Sequence, residues 1–255
     1  VDAALAAKIE AYVANGGRLI VSYHSGVREG RMQLPCVGVE YVDEIAMSPD
    51  FVVPSERIGV DLPRTGHAMY LRGAQVEPLP GTQVLATTIK PYFERSWRHF
   101  CSHRHTPSDG SPGSAAVTQR GNVIYFAHPV FGQYQDSAPR WVKLLVRDAI
   151  NRLLPHPLLR HDGPSTITTS VMHQATRTVV HLLHYIPERR GQQFDVIEDV
   201  IPLFDIKISV RTVRSITHAT IEPAGLSVET SVVDGRLTLT VPEIRGHCMV
   251  VLHHG

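Results

Sequence analysis

Four side chains able to ligate a metal or donate hydrogen bonds fall within the run HFCSHRHT: His99, Cys101, His103 and His105. In an extended segment alternate residues point the same way, so all four could face one side, as a zinc site requires. Pro- and Ser-rich sequence surrounds the run, and no second cluster carries metal-ligand spacing, so no metal is assigned. The same stretch holds Trp97, Phe100 and Arg104. Imidazole and guanidinium N–H groups donate to hydroxyls, and aromatic faces stack on sugar rings. Trp97, His103, Arg104 and His105, together with His24 and His128, are therefore the candidate substrate-binding residues, and packing of the loop against its own domain is the alternative.

His24-Ser25 invites comparison with a catalytic nucleophile. A nucleophile elbow needs G-x-S-x-G, or a cysteine equivalent, turning into a helix. Here the residues before and after are Tyr23 and Gly26, followed by the charged Val27-Arg28-Glu29. The same test removes glutamine amidotransferase chemistry. His128, before Pro129, stands at the end of a strand that could be central and could line one crevice with His24. A satisfied, half-buried histidine is the plainer reading. Glu94, Asp109 and Asp136 are the nearest acids, each fitting solvent or a helix cap as well as acid–base work. No catalytic residue and no cofactor are assigned. His181 and His184, three apart on a strand, fall on opposite faces and do not form one ligand pair.

The elements that would position these groups begin with the stretch from Lys8 to Gly26. Ala4, Leu5, Ile9, Tyr12 and Val13 recur at helical steps and predict one apolar stripe. Asn15-Gly16-Gly17 then stops the helix. Leu19-Ile20-Val21 is a continuous apolar run, as in a parallel strand covered on both faces. His24-Ser25-Gly26 leaves at its carboxyl end, where ligand crevices form in open α/β sheets. Val27 to Pro35 reads as loop. Short strands are predicted around Val37 to Tyr41, Phe51 to Val53, His67 to Leu71 and Gln83 to Ile89. A long aperiodic Pro/Ser/Gly/Asp loop follows the histidine run, and a loop of this length is more often functional than idle.

Ala115 to Thr118 and Val123 to Ala127 flank Gln119-Arg120-Gly121-Asn122, a hairpin signature, and His128 to Gly132 closes its second strand. Ser137 and Pro139 suit the start of a helix whose stripe is Trp141, Leu144, Leu145, Ala149, Ile150 and Leu153. LPHPLLRHDGPS reads as a linker. From Thr166 the texture changes to short alternating segments, TITTSV, TRTVVHLLHYI, IKISVRTV, THATI, LSVETSVV, RLTLTV and CMVVLHH, an antiparallel sandwich of the immunoglobulin type. Glu188-Arg189-Arg190-Gly191 is expected at a solvated hairpin tip.

Bulk properties narrow the class. The chain has 255 residues, 43% hydrophobic and 19% charged, which suits two globular domains rather than disorder. A formal net charge of +1 without a basic stripe argues against nucleic acid. No apolar run approaches the roughly 20 residues of a membrane helix. Three scattered cysteines, Cys36, Cys101 and Cys248, suit a reducing, cytoplasmic setting. The chain opens inside a helix without an initiator Met, so Val1 is not expected to be a natural start, and strands of the first domain are expected upstream.

AYVANGGRLIVSYHSG is similar to the helix-GG-strand passage of the flavodoxin-like trimerisation domain of family 42 β-galactosidases, and the order α/β then β-sandwich matches the tail of those enzymes. HFCSHRHTP, GNVIYFAHPVFGQY, and TRTVVHLLHYIP followed by VIEDVIPLFDIKISVR resemble the C-terminal half of family 151 α-L-fucosidases. The resemblance implies a flavodoxin-like (class I glutamine amidotransferase-like) three-layer α/β domain over residues 1–160, then an all-β immunoglobulin-like sandwich over residues 161–255. It implies a non-catalytic tail whose partners are sister subunits, a catalytic (β/α)8 barrel and a carbohydrate substrate. The barrel, where such enzymes keep their two working carboxylates, is absent from this sequence, and packing against it is a further alternative for the loop that carries Trp97. A free-standing carbohydrate-binding or interaction module, and a small α/β hydrolase with a site at His24, His103 and His128, are the alternatives.

Overall fold

The computed structural model of the chain describes residues 1–212 and 214–255; Val213, which ends the IKISVRTV run, lies outside them. Strand makes up 44% and helix 15%, arranged in several sheets, and the chain divides into two compact units, Val1–Pro155 and His156–Gly255.

In the first unit α1 (Ala3–Ala14) starts at Asp2, whose carboxylate accepts the Leu5 amide at 2.8 Å. It ends at Asn15, whose amide and side chain both donate to the Ala11 carbonyl. The two glycines after it serve different needs: Gly16 takes φ +86°, and a Cβ on Gly17 would strike the Tyr12 ring. The predicted apolar stripe is narrower than the sequence suggests. Ala6 is buried and Ile9 and Val13 pack inward, while Leu5 and Tyr12 stay exposed, because the line through positions 6, 9 and 13 faces the sheet.

The strands are β1 (Leu19–Ser22), β2 (Val27–Arg28), β3 (Arg31–Met32), β4 (Val39–Glu44), β5 (Asp50–Pro54), β6 (His67–Met69), β7 (Ala74–Pro78), β8 (Gln83–Pro91), β9 (Ser108–Arg120) and β10 (Val123–Phe126). Six form one sheet in the order β1-β10-β9-β8-β5-β6, while β4 pairs with β7 and β2 with β3. Only the β1·β10 pairing of the large sheet is parallel; its other ladders are antiparallel. A flavodoxin-like layer is thus not what this pairing shows by itself. The β2·β3 hairpin occupies a segment expected to be plain loop. β9 runs back through Ser108 to Gly113, expected to be aperiodic, because edge-to-edge pairing with β8 satisfies its backbone despite poor strand composition.

A further difference lies after β10. Val130 to Ser137 forms a helix, α2, before α3 (Arg140–Leu153). Ser137 therefore does not cap α3 but ends α2, where its hydroxyl accepts from the Gln133 amide at 2.8 Å. Alternation along β1 and β10 serves two cores. Ile20, Ile124 and Phe126 pack with Val142, Leu145 and Ala149 of α3, and Leu19, Val21, Val123 and Tyr125 pack with Ala6 of α1.

The second unit contains β11 (Leu159–His161), β12 (Ile167–His173), β13 (Arg177–His184), β14 (Glu188–Arg189), β15 (Asp195–Val196), β16 (Leu203–Val210), β17 (Ile216–Glu222), β18 (Leu226–Val228), β19 (Ser231–Val233), β20 (Arg236–Ile244) and β21 (His247–His254). A four-stranded sheet, β11-β16-β20-β19, and a five-stranded sheet, β12-β13-β21-β17-β18, are antiparallel throughout. Inward residues from both, among them Val180, Leu182, Ile208, Leu239, Val250 and Leu252, share one core, which makes this unit a β-sandwich. The expected linker contributes β11, since Leu159 to His161 completes an edge of the first of these sheets. His181 and His184 fall on opposite faces: His184 is buried, and His181 meets His247 at 3.1 Å.

Candidate functional site

The segment between β8 and β9 is anchored at its base and bare at its tip. The Thr106 hydroxyl, buried, donates to the Phe93 carbonyl, and Arg95 donates to the Arg104 carbonyl at 2.7 Å. His105 Nδ1 lies 2.9 Å from the Tyr70 hydroxyl, its ring edge-on to Phe51. The Arg104 guanidinium sits 4.3 Å from the centroid of Tyr70, a cation–π contact. Trp97 is 82% exposed and Phe100 69%, and Arg98 covers one face of the indole.

His103 touches only its neighbour's hydroxyl, Ser102 Oγ, among the side-chain bonds it makes at 3.2 Å. The Cys101 thiol turns to the His103 and His105 carbonyls. The run is therefore a folded loop, not an extended strand with four ligands on one side. Among the described residues no three His, Cys, Asp or Glu side chains are grouped to hold a metal ion.

A second group forms at the carboxyl end of β1. Tyr23 takes φ +51°, a left-handed conformation uncommon for a residue with a side chain. Its hydroxyl donates to Glu44 Oε1 at 2.7 Å, and its backbone carbonyl accepts from Tyr125. Burial, then the Glu44 hydrogen bond, pushes the Tyr23 phenol up to about 12. His24 stacks on Tyr23 with centroids 3.8 Å apart. Its Nε2 stands 3.9 Å from Glu44 Oε1, an ionic approach too long for a hydrogen bond. Ser25 is exposed in the following turn, with no histidine bonded to it and no helix after it.

His128 is fully buried, 1% exposed, and its Nε2 meets both oxygens of Asp50 at 3.0 and 3.1 Å. A Cβ on Gly73 would overlap the imidazole, so the chain passes closest to His128 where only glycine fits. His128 cannot touch a ligand itself; it fixes Asp50. Residues 44–50 and 70–74 tie these groups together. Arg72 donates to the Ile45 and Ala46 carbonyls and to Glu94 Oε1, and Glu94 Oε2 accepts the Ser48 amide at 2.9 Å.

The sequence singled out His24, Trp97, His103, Arg104, His105 and His128 but not Tyr23 and Glu44 beside His24, Asp50 beside His128, or Tyr70 beside His105 and Arg104. The one available signal was a charged residue, Asp50, opening an apolar strand. The nearby acids are already engaged: Glu44 by Tyr23, Glu94 by Arg72, Asp50 by His128, and Asp109 by the Ser111 amide and hydroxyl. The arrangement can present donors and aromatic faces to a ligand.

No family model matches the chain, and no curated protein does. Among solved structures it is similar to α-L-fucosidase isoenzyme 2 from Paenibacillus thiaminolyticus, with TM-score 0.91 and 29% identity over 98% of this chain and 38% of that one. A β-galactosidase from Bacillus circulans sp. alkalophilus matches with TM-score 0.55 and 15% identity over 97% of this chain and 30% of that one. A catalytic mutant of a family 42 β-galactosidase from G. stearothermophilus gives 0.52 and 12% over 98% and 30%. The chain thus spans little more than a third of the fucosidase, and less of the two β-galactosidases, whose likeness is one of fold. The resemblance read from the sequence holds in three dimensions: this chain corresponds to a part of glycoside hydrolase chains of the α-L-fucosidase and β-galactosidase kinds.

Proposed function

We propose that the chain is the non-catalytic C-terminal portion of a glycoside hydrolase of α-L-fucosidase or β-galactosidase type, binding sister subunits and completing a neighbouring subunit's sugar site. The observation that carries this is the fucosidase match, which takes in 98% of this chain and only 38% of the enzyme.

Residues 1–160 are read as a flavodoxin-like domain of the trimerisation type. Helices on both faces of the β1·β10 parallel pair support that reading, as does the position of β1 at the end of its sheet. An apolar edge strand without a charge or proline is the kind a further strand normally covers. Residues 161–255 are the immunoglobulin-like sandwich. Trp97, His103, Arg104 and His105 are the residues that reach the neighbour's sugar, with His24 and His128 behind them as packing and positioning groups. Free Cys36, Cys101 and Cys248 fit the reducing cytoplasm. Burial, then the Glu10 carboxylate, raises the Cys36 thiol to about 12, which keeps it protonated and inert.

The purified chain should self-associate in sedimentation and leave nitrophenyl fucosides and galactosides intact. Turnover of either sugar by the chain alone sinks the proposal, and saturable sugar binding by a strict monomer favours the carbohydrate-binding module instead.

A further inference from the structure

A cavity of about 380 Å³ lies apart from the loop tip, walled by β7, β8, β9 and the residues leading into β5. That volume is in the roughly 300–1,000 Å³ range of small-molecule sites. It opens where the β8·β9 ladder is broken. The register passes from Thr87↔Ala115 to Ile89↔Pro112, so Gly113 and Ser114 together face Thr88, a bulge of two residues against one. The Thr88 hydroxyl accepts the Ser114 amide at 2.9 Å, and any Cβ on Gly113 would collide with that hydroxyl.

Asp50 forms part of the wall although only 3% of it is exposed. A carboxylate buried to that extent needs a partner, and His128 supplies one N–H shared between the two oxygens. A carboxylate has about four lone-pair sites, so acceptor capacity remains beyond the His128 bond. Around it stand the exposed side chains of Gln75, Glu77 and Lys90 with Thr88 and Ser114. Acceptors and donors both line the cavity, and the charges nearly balance, Asp50 and Glu77 against Lys90. An anion would meet two carboxylates and a cation an ammonium. A neutral ring carrying neighbouring hydroxyls meets a partner on each side.

The geometry points to this cavity as a binding site for a single sugar ring, with the Asp50 carboxylate accepting from adjacent hydroxyls and Lys90 donating at the rim. His128 is a positioning residue that holds Asp50 in its orientation. The site is separate from the Trp97 loop and does not rest on the proposed role of that loop.

The test is a titration of the 15N-labelled chain with a panel of free hexoses and 6-deoxyhexoses, read by amide shifts and calorimetry. Saturating shifts should centre on Gln75, Thr88, Lys90, Gly113 and Ser114, with a Kd in the millimolar range of roughly −4 kcal/mol. Lys90→Ala and Glu77→Ala, both at exposed positions, should each weaken binding about threefold to tenfold, and Asp50→Asn tenfold or more. Trp97→Ala should leave the Kd unchanged, which separates this site from the loop. Absence of saturable shifts with every sugar, shifts confined to residues 92–107, or a Kd that Lys90→Ala and Glu77→Ala both leave intact overturns the assignment. Those two rim variants decide it even if Asp50→Asn does not fold.

Discussion

Two segments stand out from the sheets of this protein, one in each unit, and their exposed surfaces differ in kind. Between β8 and β9 the exposed aromatics Trp97 and Phe100 are interleaved with histidines and arginines, and the base is fixed through Tyr70 and Glu94. Around β14 and β15 and on to β16 the exposed residues are Phe194, Ile197, Val200, Ile201 and Phe204, 43 to 64% open. Their charged neighbours pair among themselves, Arg189 with Asp195 and Arg190 with Glu188 and Glu198. Donors beside aromatic faces suit a hydroxylated ligand. Bare apolar groups with no donor beside them suit another protein surface, because water gains nothing from them. Sugar contact is proposed for the first segment, and subunit contact, proposed above for residues 1–160, is extended here to the second.

The sharpest way to break that division is to charge the apolar segment. Val200→Asp with Ile201→Asp should weaken the proposed self-association a hundredfold or more, since burying two unpaired carboxylates costs several kcal/mol. Both positions are exposed in the single chain, so its thermal midpoint should hold; sedimentation beside circular dichroism reads the two outcomes. Unaltered assembly would mean that this segment does not dock. A smaller effect is expected in the first segment. In the full-length glycoside hydrolase proposed above, Trp97→Ala should lower kcat/KM about tenfold through lost stacking, with subunit association unchanged. Loss of association with unaltered kinetics would exchange the roles of the two segments.

How far these features were legible in the sequence follows from whether local pattern or distant contact determines them. The α1 to β1 passage was readable because capping, glycine and apolar runs act over a few residues, as Asp2, Gly16 and Leu19 to Val21 show. The sandwich was readable because its strands alternate, with Val180 and Leu182 inward and His181 outward. The extension of β9 through Ser108 to Gly113 was not, since only its partner β8 makes that composition a strand. The site was half legible for the same reason. His105 and His128 attract notice as types, whereas Tyr70 and Asp50 matter through contacts 35 and 78 residues away in sequence. The apolar segment was visible as VIEDVIPLF, but only exposure in the fold shows that it does not belong to the core.

A finer comparison is available inside the first segment's anchorage. Tyr70→Phe removes the hydroxyl that meets His105 but keeps the ring under Arg104. It should therefore cost about 1 kcal/mol, less than half of what removing the ring would cost, read as a small drop in the thermal midpoint and faster amide exchange confined to residues 92–107.

The smallest effect concerns Tyr23, which supports His24. Its phenol is raised from an ordinary value of 10.0 to about 12, by burial first and the Glu44 bond second. In the unfolded chain the phenol loses its proton near its ordinary value, whereas in the folded chain it keeps it. The contribution of this group is thus fully present below pH 10 and is lost as pH rises toward 12. Tyr23→Phe should flatten that alkaline decline and lower stability at pH 7 by about 1 kcal/mol or less, because the ring keeps its stack with His24 and loses only the hydroxyl that meets Glu44. Burial also raises the Tyr41 and Tyr125 phenols, so ultraviolet difference titration should show one fewer late-ionising phenol in the variant than in the native protein. A Tyr23 that ionises with the exposed tyrosines would mean that Glu44 does not hold it, and that His24 lacks the fixed neighbour on which its orientation rests.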